Sequence, residues 1–324
     1  MLVNCQPIFL FHFVVASMAI CSLDSFAKEK ADFNQRLLTK DANQDGKLSR
    51  DELGDTLWNR MAGQDANGDG FLDASELKAM AGKSGRKESG QVRPGGANAA
   101  FQIREHQASN GQTIRYSLFV PTREKHAPLP MVLCLHGAGG NVEAANLLTV
   151  PAMQAKHPCI VVAPACDGKS TRWVESEFRG ARDDKKKQPR AVMPELMEML
   201  DAVIAEGNAD PSRIYVVGQS MGGVGTWGLI ANHPDKFAAA IPVCGFWTPA
   251  DAPQMSGVAI WAFHGEKDEA VPVSGSRDII AALKKSAITP KPKYTEFPGV
   301  GHGSWGLAYE MAELWDWLFE QRKK

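Results

Sequence analysis

An apolar run that ends in a glycine-rich turn at a serine constrains the fold of this chain most strongly. Residues 213–217 are rich in β-branched and aromatic side chains, and they lead into Gly218-Gln-Ser-Met-Gly-Gly223 and then into a helix-like run. In such a G-x-S-x-G pattern the glycines permit a sharp strand-to-helix turn that leaves the serine hydroxyl exposed. The pentapeptide is common by chance, so its position between a strand and a helix carries the interpretation. We predict that Ser220 is a nucleophile.

Short apolar runs alternate with longer amphipathic runs from residue 100 onward. The predicted strands cover residues 113–120, 131–136, 160–164, 213–217, 238–243 and 258–264. The predicted helices cover residues 191–206, 221–232, 274–285 and 305–321. Strands separated by helices indicate a mostly parallel sheet with helices on both faces. The predicted fold class is therefore α/β. The strand–serine–helix turn favours the α/β-hydrolase type within this class, and a small all-α unit, described below, is predicted to precede it.

A second glycine-rich turn follows an earlier predicted strand. The segment His136-Gly-Ala-Gly-Gly140 comes directly after the apolar residues 131–135. Such a turn can direct a backbone N–H at the negative charge of a tetrahedral intermediate. We predict that the N–H groups of Ala138 and Met221 form an oxyanion hole. The alternative is a plain turn at the end of a strand.

The other polar candidates follow the serine in the order nucleophile, acid, histidine that is typical of α/β-hydrolases. Asp268 closes the segment His264-Gly-Glu-Lys-Asp268 after a predicted strand, and Glu266 is the competing acid. His302 lies in a glycine-rich loop before the last predicted helix. We predict that Asp268 is the acid of a catalytic triad and His302 its general base. His264 is then assigned a structural role in the turn.

Two further features near these motifs have open interpretations. Trp173 follows a predicted strand on the side of the sheet where substrates bind, so it either binds substrate or packs in the core. The charged run from Arg179 to Arg190 is either a solvated loop or a contact for an anionic polysaccharide.

A short repeat near the N-terminus has oxygen-bearing side chains at positions 1, 3, 5, 9 and 12 of each loop and glycine at position 6, which is the pattern of an EF-hand calcium loop. The predicted ligands are Asp41, Asn43, Asp45, Lys47, Ser49 and Glu52 in the first loop, and Asp65, Asn67, Asp69, Phe71, Asp73 and Glu76 in the second. Lys47 and Phe71 offer only backbone carbonyls. We predict two Ca²⁺ sites in a paired unit, with a structural or docking role and no part in the chemistry. Acidic loops that bind nothing are the alternative.

The first 27 residues have the composition of a signal peptide. The apolar run from Ile8 to Ile20 is too short to span a bilayer, and Ser25-Phe-Ala27 offers small residues to a signal peptidase. We predict cleavage after Ala27 and export to the periplasm or the extracellular space. The bulky residue before Cys21 disfavours a lipid anchor there. A disordered or buried N-terminal strand is the alternative.

The predicted domains are a signal peptide at 1–27, an EF-hand pair at 28–81, a flexible linker at 82–99 and a catalytic domain at 100–324. The linker is assigned because it is rich in glycine and charge and poor in apolar residues.

Charge and cysteine content narrow the range of partners. Lys and Arg number 36 against 37 Asp and Glu, a balance that gives no electrostatic footprint for nucleic acid or an anionic membrane. We predict a small or neutral substrate, no nucleic acid and no transmembrane segment. A docking partner that depends on calcium stays open. Among the cysteines beyond the signal peptide, Cys159–Cys166 is the favoured disulfide, while Cys134 and Cys244 are equally consistent with buried free thiols.

From residue 112 to residue 320 the chain resembles exported esterases of the poly(3-hydroxybutyrate) depolymerase and feruloyl esterase type, and the phospholipase/carboxylesterase group. The motifs that carry the resemblance are Leu135-His-Gly-Ala-Gly-Gly140, Gly218-Gln-Ser-Met-Gly-Gly223, His264-Gly-Glu-Lys-Asp268 and Gly301-His302. The resemblance implies hydrolysis of carboxylic esters, carbohydrate-linked or polyester-type, through an acyl-enzyme. A serine peptidase of the prolyl oligopeptidase type is the second interpretation. A calcium-dependent binding protein with an inactive hydrolase domain is the third.

Overall fold

The computed structural model describes residues 40–54, 69–73, 75–76, 101–122, 127–175 and 189–323. It divides the chain into two compact units, residues 1–87 and 88–324. The predicted signal peptide, the linker at 82–99 and the predicted ligands Asp65 and Asn67 lie outside the described residues, so the domain boundaries stay predictions. Among the described residues, the helices are all too short or too polar to cross a membrane.

The first unit contains a two-stranded antiparallel ribbon. Strands β1 (Lys47–Ser49) and β2 (Phe71–Asp73) pair with Leu48 opposite Leu72, and both leucines are completely buried. Gly46 and Gly70 have φ angles of 79° and 81°. Glycine adopts this left-handed conformation without steric cost, as the sharp turn at position 6 of each loop requires. The ribbon therefore joins the two loops of the repeat.

The second unit is built on an eight-stranded sheet. The described residues of this unit form ten strands, eight in this sheet and two in a separate pair. In chain order they are β3 (Gln102–Gln107), β4 (Thr113–Phe119), β5 (Leu129–Leu135), β6 (Ile160–Pro164), β7 (Thr171–Arg172), β8 (Arg190–Ala191), β9 (Ala209–Gln219), β10 (Ala239–Val243), β11 (Ala259–Gly265) and β12 (Lys293–Phe297). The short strands β7 and β8 pair only with each other. The sheet order is β3-β4-β6-β5-β9-β10-β11-β12. β4 is antiparallel to both β3 and β6 and so runs opposite to the other seven strands, and the sheet is mostly parallel.

Helices cover both faces of this sheet. They are α1 (Glu143–Leu148), α2 (Pro151–Lys156), α3 (Met193–Ala205), α4 (Met221–Asn232), α5 (Ser274–Lys285), α6 (Trp305–Glu310) and α7 (Ala312–Glu320). Successive residues of β5 point to opposite faces: Leu133 packs in a core with residues of α3, α4 and α5, whereas Val132 packs in a core with residues of α1, α6 and α7. Central strands buried on both faces are typical of α/β folds, and the predicted fold class is confirmed.

The favoured disulfide between Cys159 and Cys166 is wrong. Both residues are free thiols, as are the other two described cysteines, Cys134 and Cys244. Cys159 precedes β6 and Cys166 follows it. An extended segment of that length covers about 20 Å, whereas a disulfide needs Cα atoms within about 7 Å. Instead, the Cys159 sulfur lies 3.3 Å from the side-chain nitrogen of Gln154.

Candidate active site

The carboxyl ends of four parallel strands bring the predicted catalytic segments to one edge of the sheet. Ser220 follows β9, Asp268 follows β11, His302 follows β12, and the turn that begins at His136 follows β5. Ligands of open α/β sheets bind at this edge because parallel strands all end there. The topology thus explains how segments far apart in sequence can meet.

Ser220 lies in a strained turn between β9 and α4. Its φ of 55° and ψ of −118° are uncommon for a residue with a side chain. A Cβ atom at Gly222 would lie 2.1 Å from the carbonyl oxygen of Leu135, and one at Gly218 would lie 2.3 Å from that of Gly222. Both glycines of the motif are therefore required by close backbone approach, and the turn presents the serine hydroxyl at the end of the strand.

The imidazole of His302 bridges Ser220 and Asp268. Its Nε2 atom lies 2.8 Å from the Oγ of Ser220, and its Nδ1 atom lies 2.7 Å from the Oδ2 of Asp268. With a proton on Nδ1, the ring donates to the carboxylate and presents the Nε2 lone pair to the hydroxyl. The structure thus brings together the three residues that the sequence predicts as a triad.

The carboxylate of Asp268 is surrounded by hydrogen-bond donors. Oδ1 accepts from the backbone N–H groups of Ala270 and Val271 at 2.9 and 2.8 Å. Oδ2, besides its contact with His302, lies 3.2 Å from the Nε2 of His264. Burial alone would raise the pKa of Asp268, but the hydrogen bonds from His264 and His302 outweigh it and hold the pKa well below its usual range. The acid is thereby kept charged.

The competing acid, Glu266, points elsewhere. It is exposed, and its Oε2 accepts from the backbone N–H of Gly299 at 2.7 Å. His264 is completely buried in the turn, with its Nδ1 2.8 Å from Ser276 Oγ and its Nε2 2.9 Å from the carbonyl of Val271. His264 therefore lies buried in the turn, where a structural role was predicted, and it also contacts Asp268, which sequence reasoning did not anticipate.

Cys244 is a residue of the site that sequence reasoning missed. It is buried at the end of β10 with a φ of 50°. Its thiol donates to the backbone carbonyl of His302 at 3.1 Å and lies 2.8 Å from the hydroxyl of Ser304. The thiol thus holds the backbone that carries the imidazole. No motif in the sequence distinguishes this cysteine from an ordinary core residue.

The turn after β5, residues 136–141, lies against the serine; we call it the oxyanion loop. A Cβ atom at Gly137 would be 3.5 Å from the Cβ of Ser220. A Cβ atom at Gly168 would be 3.3 Å from the carbonyl oxygen of Ala138 and 3.7 Å from the Met221 side chain. Neither the Ala138 N–H nor the Met221 N–H has a hydrogen-bond acceptor among the described residues. Both predicted donors thus lack an internal acceptor in this part of the chain, and their role in an oxyanion hole stays a prediction.

Of the two interpretations of Trp173, the position of its side chain favours packing in the core over substrate binding. Its side chain is completely buried, and its indole N–H donates to the backbone carbonyl of His136 at 2.9 Å. The Nε2 of the buried His136 accepts in turn from the N–H of Cys166 at 3.1 Å, and burial lowers the pKa of the imidazole. Trp173 therefore packs in the core and supports the oxyanion loop, as the alternative interpretation held.

The first loop of the EF-hand repeat has an oxygen-rich interior. Asp41 accepts from the N–H of Asp45 at 3.2 Å and from that of Gly46 at 2.9 Å. Glu52, at the other end of the loop, accepts from the N–H of Ala42 at 3.0 Å and from that of Ser49 at 2.8 Å. Carboxylates from positions 1 and 12 thus turn into one loop, and hard oxygen ligands of this kind fit Ca²⁺.

The second loop is described from Asp69 onward. Asp69 accepts from the N–H of Phe71 at 2.9 Å, and Glu76 accepts from the N–H of Asp73 at 3.1 Å. The ammonium of Lys47, from the first loop, lies 3.0 Å from Asp69 Oδ2. These carboxylates also suit Ca²⁺, which would compete with the lysine for Asp69.

Comparisons with known proteins find similarity in two parts of the chain. Residues 117–305 match the dienelactone hydrolase family, and residues 41–58 and 65–81 match the EF hand. Feruloyl esterase B of Neurospora crassa is 29% identical over 155 residues, which are 46% of this chain and 50% of that protein. Poly(3-hydroxyalkanoate) depolymerase C of Paucimonas lemoignei is 31% identical over 132 residues, 37% of this chain and 30% of that protein.

Among solved structures, a thermostable esterase is 34% identical, with a TM-score of 0.61 over 69% of this chain and 63% of that one. The chain spans half or less of the length of the two curated relatives. The hydrolase match nevertheless extends over more than half of this chain, and it includes the segments that carry Ser220, Asp268 and His302.

Proposed function

This chain belongs to the dienelactone hydrolase family, and from that premise we propose that it is an exported serine esterase that works through an acyl-enzyme. One observation carries the proposal: the His302 imidazole lies 2.8 Å from the Ser220 hydroxyl and 2.7 Å from the Asp268 carboxylate. Both distances are within the range needed for proton transfer and for orienting the base.

In the proposed acylation step, Ser220 Oγ attacks the acyl carbon of the ester as His302 Nε2 takes the hydroxyl proton. The carbonyl electrons move to oxygen, where the N–H groups of Ala138 and Met221 stabilise the negative charge. Asp268 keeps the proton on His302 Nδ1 and stabilises the imidazolium. These groups match the tetrahedral intermediate better than the planar ester, and this difference accelerates the reaction.

The intermediate then collapses. The bond to the leaving alcohol breaks, the alcohol oxygen takes the proton from His302 Nε2, and the acyl group stays on Ser220. A water molecule attacks this acyl-enzyme while His302 takes the water proton, and collapse of the second intermediate returns the proton to Ser220 Oγ. The free acid leaves, and the enzyme is regenerated.

The proposed substrates are carboxylic esters of the carbohydrate-linked or polyester type. Support comes from relatives that are named as a feruloyl esterase and as a polyhydroxyalkanoate depolymerase. The leader-like composition of residues 1–27 supports export.

The EF-hand unit is proposed to hold two Ca²⁺ ions that stabilise its loops. Asp41 and Glu52 would bind the first ion, and Asp69 and Glu76 would take part in binding the second. The chemistry that Ca²⁺ supplies there is electrostatic attraction between oxygen ligands and a hard cation. No catalytic step uses it.

An assay on parallel substrates tests the proposed activity. The wild type, Ser220→Ala and the control Ser286→Ala, which changes an exposed serine at the end of α5, are compared on an aryl acetate, a feruloyl ester, a 3-hydroxybutyrate oligomer and a proline-containing chromogenic peptide. We expect the wild type and Ser286→Ala to hydrolyse at least one ester much faster than the peptide, and Ser220→Ala to lose this activity. Faster peptide hydrolysis, or full ester turnover by Ser220→Ala, contradicts the proposal.

A further inference from the structure

Gln219, the residue before the proposed nucleophile, forms a hydrogen bond with the oxyanion loop. Its side chain is buried, and its Nε2 donates to the carbonyl oxygen of Asn141 at 3.0 Å. A Cβ atom at Gly137 would lie 3.9 Å from the Gln219 Cγ and 3.4 Å from its carbonyl oxygen. The glutamine therefore bonds to one end of the loop, at Asn141, and lies close to the other end, at Gly137, on either side of Ala138.

The other polar atom of the same amide is also bonded. The Tyr309 hydroxyl donates to Gln219 Oε1 at 3.2 Å. Tyr309 belongs to α6, the helix that begins just after His302, and its ring is buried. Burial raises the pKa of this phenol well above its ordinary value, so the hydroxyl keeps the proton that it donates.

One side chain thus joins three segments of the proposed site: the nucleophile turn, the oxyanion loop and the helix after the general base. The connection needs a donor at one amide atom and an acceptor at the other, which glutamine supplies and an apolar residue of similar length does not. Loss of the amide would leave the buried Tyr309 hydroxyl without its acceptor and Asn141 without its donor. The oxyanion loop would then lose its hydrogen bond to the residue that precedes the serine.

We propose that Gln219 is a positioning residue that fixes the Ala138 N–H relative to the Ser220 hydroxyl. This inference rests on the proposed esterase function, because it concerns a donor that acts on the oxyanion of that reaction. An N–H that is displaced from the oxyanion position weakens transition-state stabilisation while leaving ester binding intact. Loss of a residue that serves only packing is not expected to weaken transition-state stabilisation while leaving ester binding unchanged.

Gln219→Met tests the inference because methionine keeps the length and volume of the side chain and removes both hydrogen bonds. Tyr309→Phe removes only the bond to Oε1 and keeps the ring. Gln321→Met is the matched control, since Gln321 lies at the end of α7 and its side-chain amide donates to the Trp317 carbonyl of the same helix. The measurements are kcat and KM on an aryl acetate and the affinity of a trifluoromethyl ketone, whose adduct with serine carries an oxyanion.

For Gln219→Met we expect kcat to fall about 30-fold, KM to stay within about twofold, and the ketone affinity to fall by the same factor as kcat, in line with a weakened oxyanion donor. Tyr309→Phe shows the same pattern with a loss of about three- to tenfold. Unchanged kcat, or a loss that lies in KM with unchanged ketone affinity, overturns the inference. If Gln219→Met does not fold, Tyr309→Phe decides by the same pattern.

These outcomes are separate from failure of the proposed function. If the wild type hydrolyses no ester, or if Ser220→Ala keeps the activity, the esterase assignment fails, and the proposed role of Gln219 fails as well because it depends on that assignment. If ester hydrolysis depends on Ser220 but Gln219→Met equals Gln321→Met, only the role of Gln219 is overturned.

Discussion

The Nε2 atom of His302 lies 2.8 Å from the hydroxyl oxygen of Ser220, although 82 residues separate the two in the chain. The contact arises because β9 and β12 run parallel in one sheet, so the segments that follow them leave from the same edge. The fold therefore supplies the proximity on which an activated serine depends.

The pH dependence of hydrolysis follows from the surroundings of Asp268. Its pKa is lowered by hydrogen bonds from His264 and His302 despite burial, which acts in the opposite direction. A lowered pKa in the folded state means that the carboxylate stabilises the fold above its unfolded pKa, and that this contribution is lost as the pH falls through the folded value. Asp268 should therefore stay charged at pH about 4 and somewhat below, where an ordinary aspartate takes up a proton.

We expect log kcat/KM to fall on the acid side with a slope no steeper than one down to pH about 4, because Asp268 stays charged there and adds no second proton. The profile is measured on an aryl acetate, with circular dichroism at each pH as the control for unfolding. A slope of two above that pH, with the protein still folded, would show that Asp268 takes up a proton there.

The glycine at position 222 should be irreplaceable, unlike a nearby glycine in α6. Gly222→Ala would put a Cβ atom 2.1 Å from the Leu135 carbonyl oxygen, whereas a Cβ at Gly306 meets no atom outside its own stretch of helix within 4 Å. We expect Gly222→Ala to lower the free energy of unfolding by about 3 kcal/mol or more. Gly306→Ala should raise it by up to about 1 kcal/mol, because alanine favours helix. Urea denaturation measures both, and a Gly222→Ala protein of wild-type stability would refute the close packing at the turn.

Trp173→Phe tests whether this residue supports the oxyanion loop or contacts substrate. Phenylalanine keeps the aromatic ring but removes the donor to the buried His136 carbonyl, which should cost about 1–3 kcal/mol of unfolding free energy. We expect kcat to fall while KM stays within about twofold, because the indole has no exposed surface.

The control is Trp261→Phe. Trp261 lies near the beginning of β11, away from the strand ends that carry the site, and the change removes its 3.0 Å hydrogen bond to Thr295. This variant should lose stability without a comparable loss of kcat. A raised KM for Trp173→Phe at unchanged kcat would show that Trp173 contacts the substrate.

Calcium removal should destabilise the EF-hand unit. A ligand at 100 times its Kd stabilises the folded state by about 2.7 kcal/mol, so a chelator should lower the melting temperature of this unit. Titration calorimetry should give two Ca²⁺ per wild-type chain and one for Glu52→Gln, which weakens the carboxylate at position 12 of the first loop. Glu320→Gln, at the end of α7, is the control and should keep both. Unchanged stoichiometry in Glu52→Gln, or no effect of the chelator on melting, would contradict the assignment.

Much of the fold is encoded in local patterns. Helices α4 and α5 begin and end where the sequence predicts, because each has a helical pattern bounded by turn residues. Strands β3 and β12 were not predicted: they lie at the two edges of the sheet, and polar residues interrupt their apolar patterns. The single helix predicted over 305–321 is two helices, because the backbone of Met311 is extended with a ψ of 110°. No proline or glycine marks that break.

The site could be predicted only in part, because motifs identify the candidate reacting residues but not the residues that support them. The order of Ser220, Asp268 and His302 along the chain matches a known arrangement, so these residues could be named before their distances were known. The supports of the site are contacts between segments far apart in sequence. Trp173 is 37 residues from His136, and Gln219 is 78 residues from Asn141. No local pattern records such pairs.

Covalent labelling tests the central claim most directly. A fluorophosphonate reacts with a serine that a neighbouring base has activated, so intact protein should gain one adduct per chain, and peptide mass spectrometry should map it to Ser220. Ser220→Ala should gain none, while Ser286→Ala should label as the wild type does. Folded wild-type protein that stays unlabelled, or an adduct on another residue, would contradict the account.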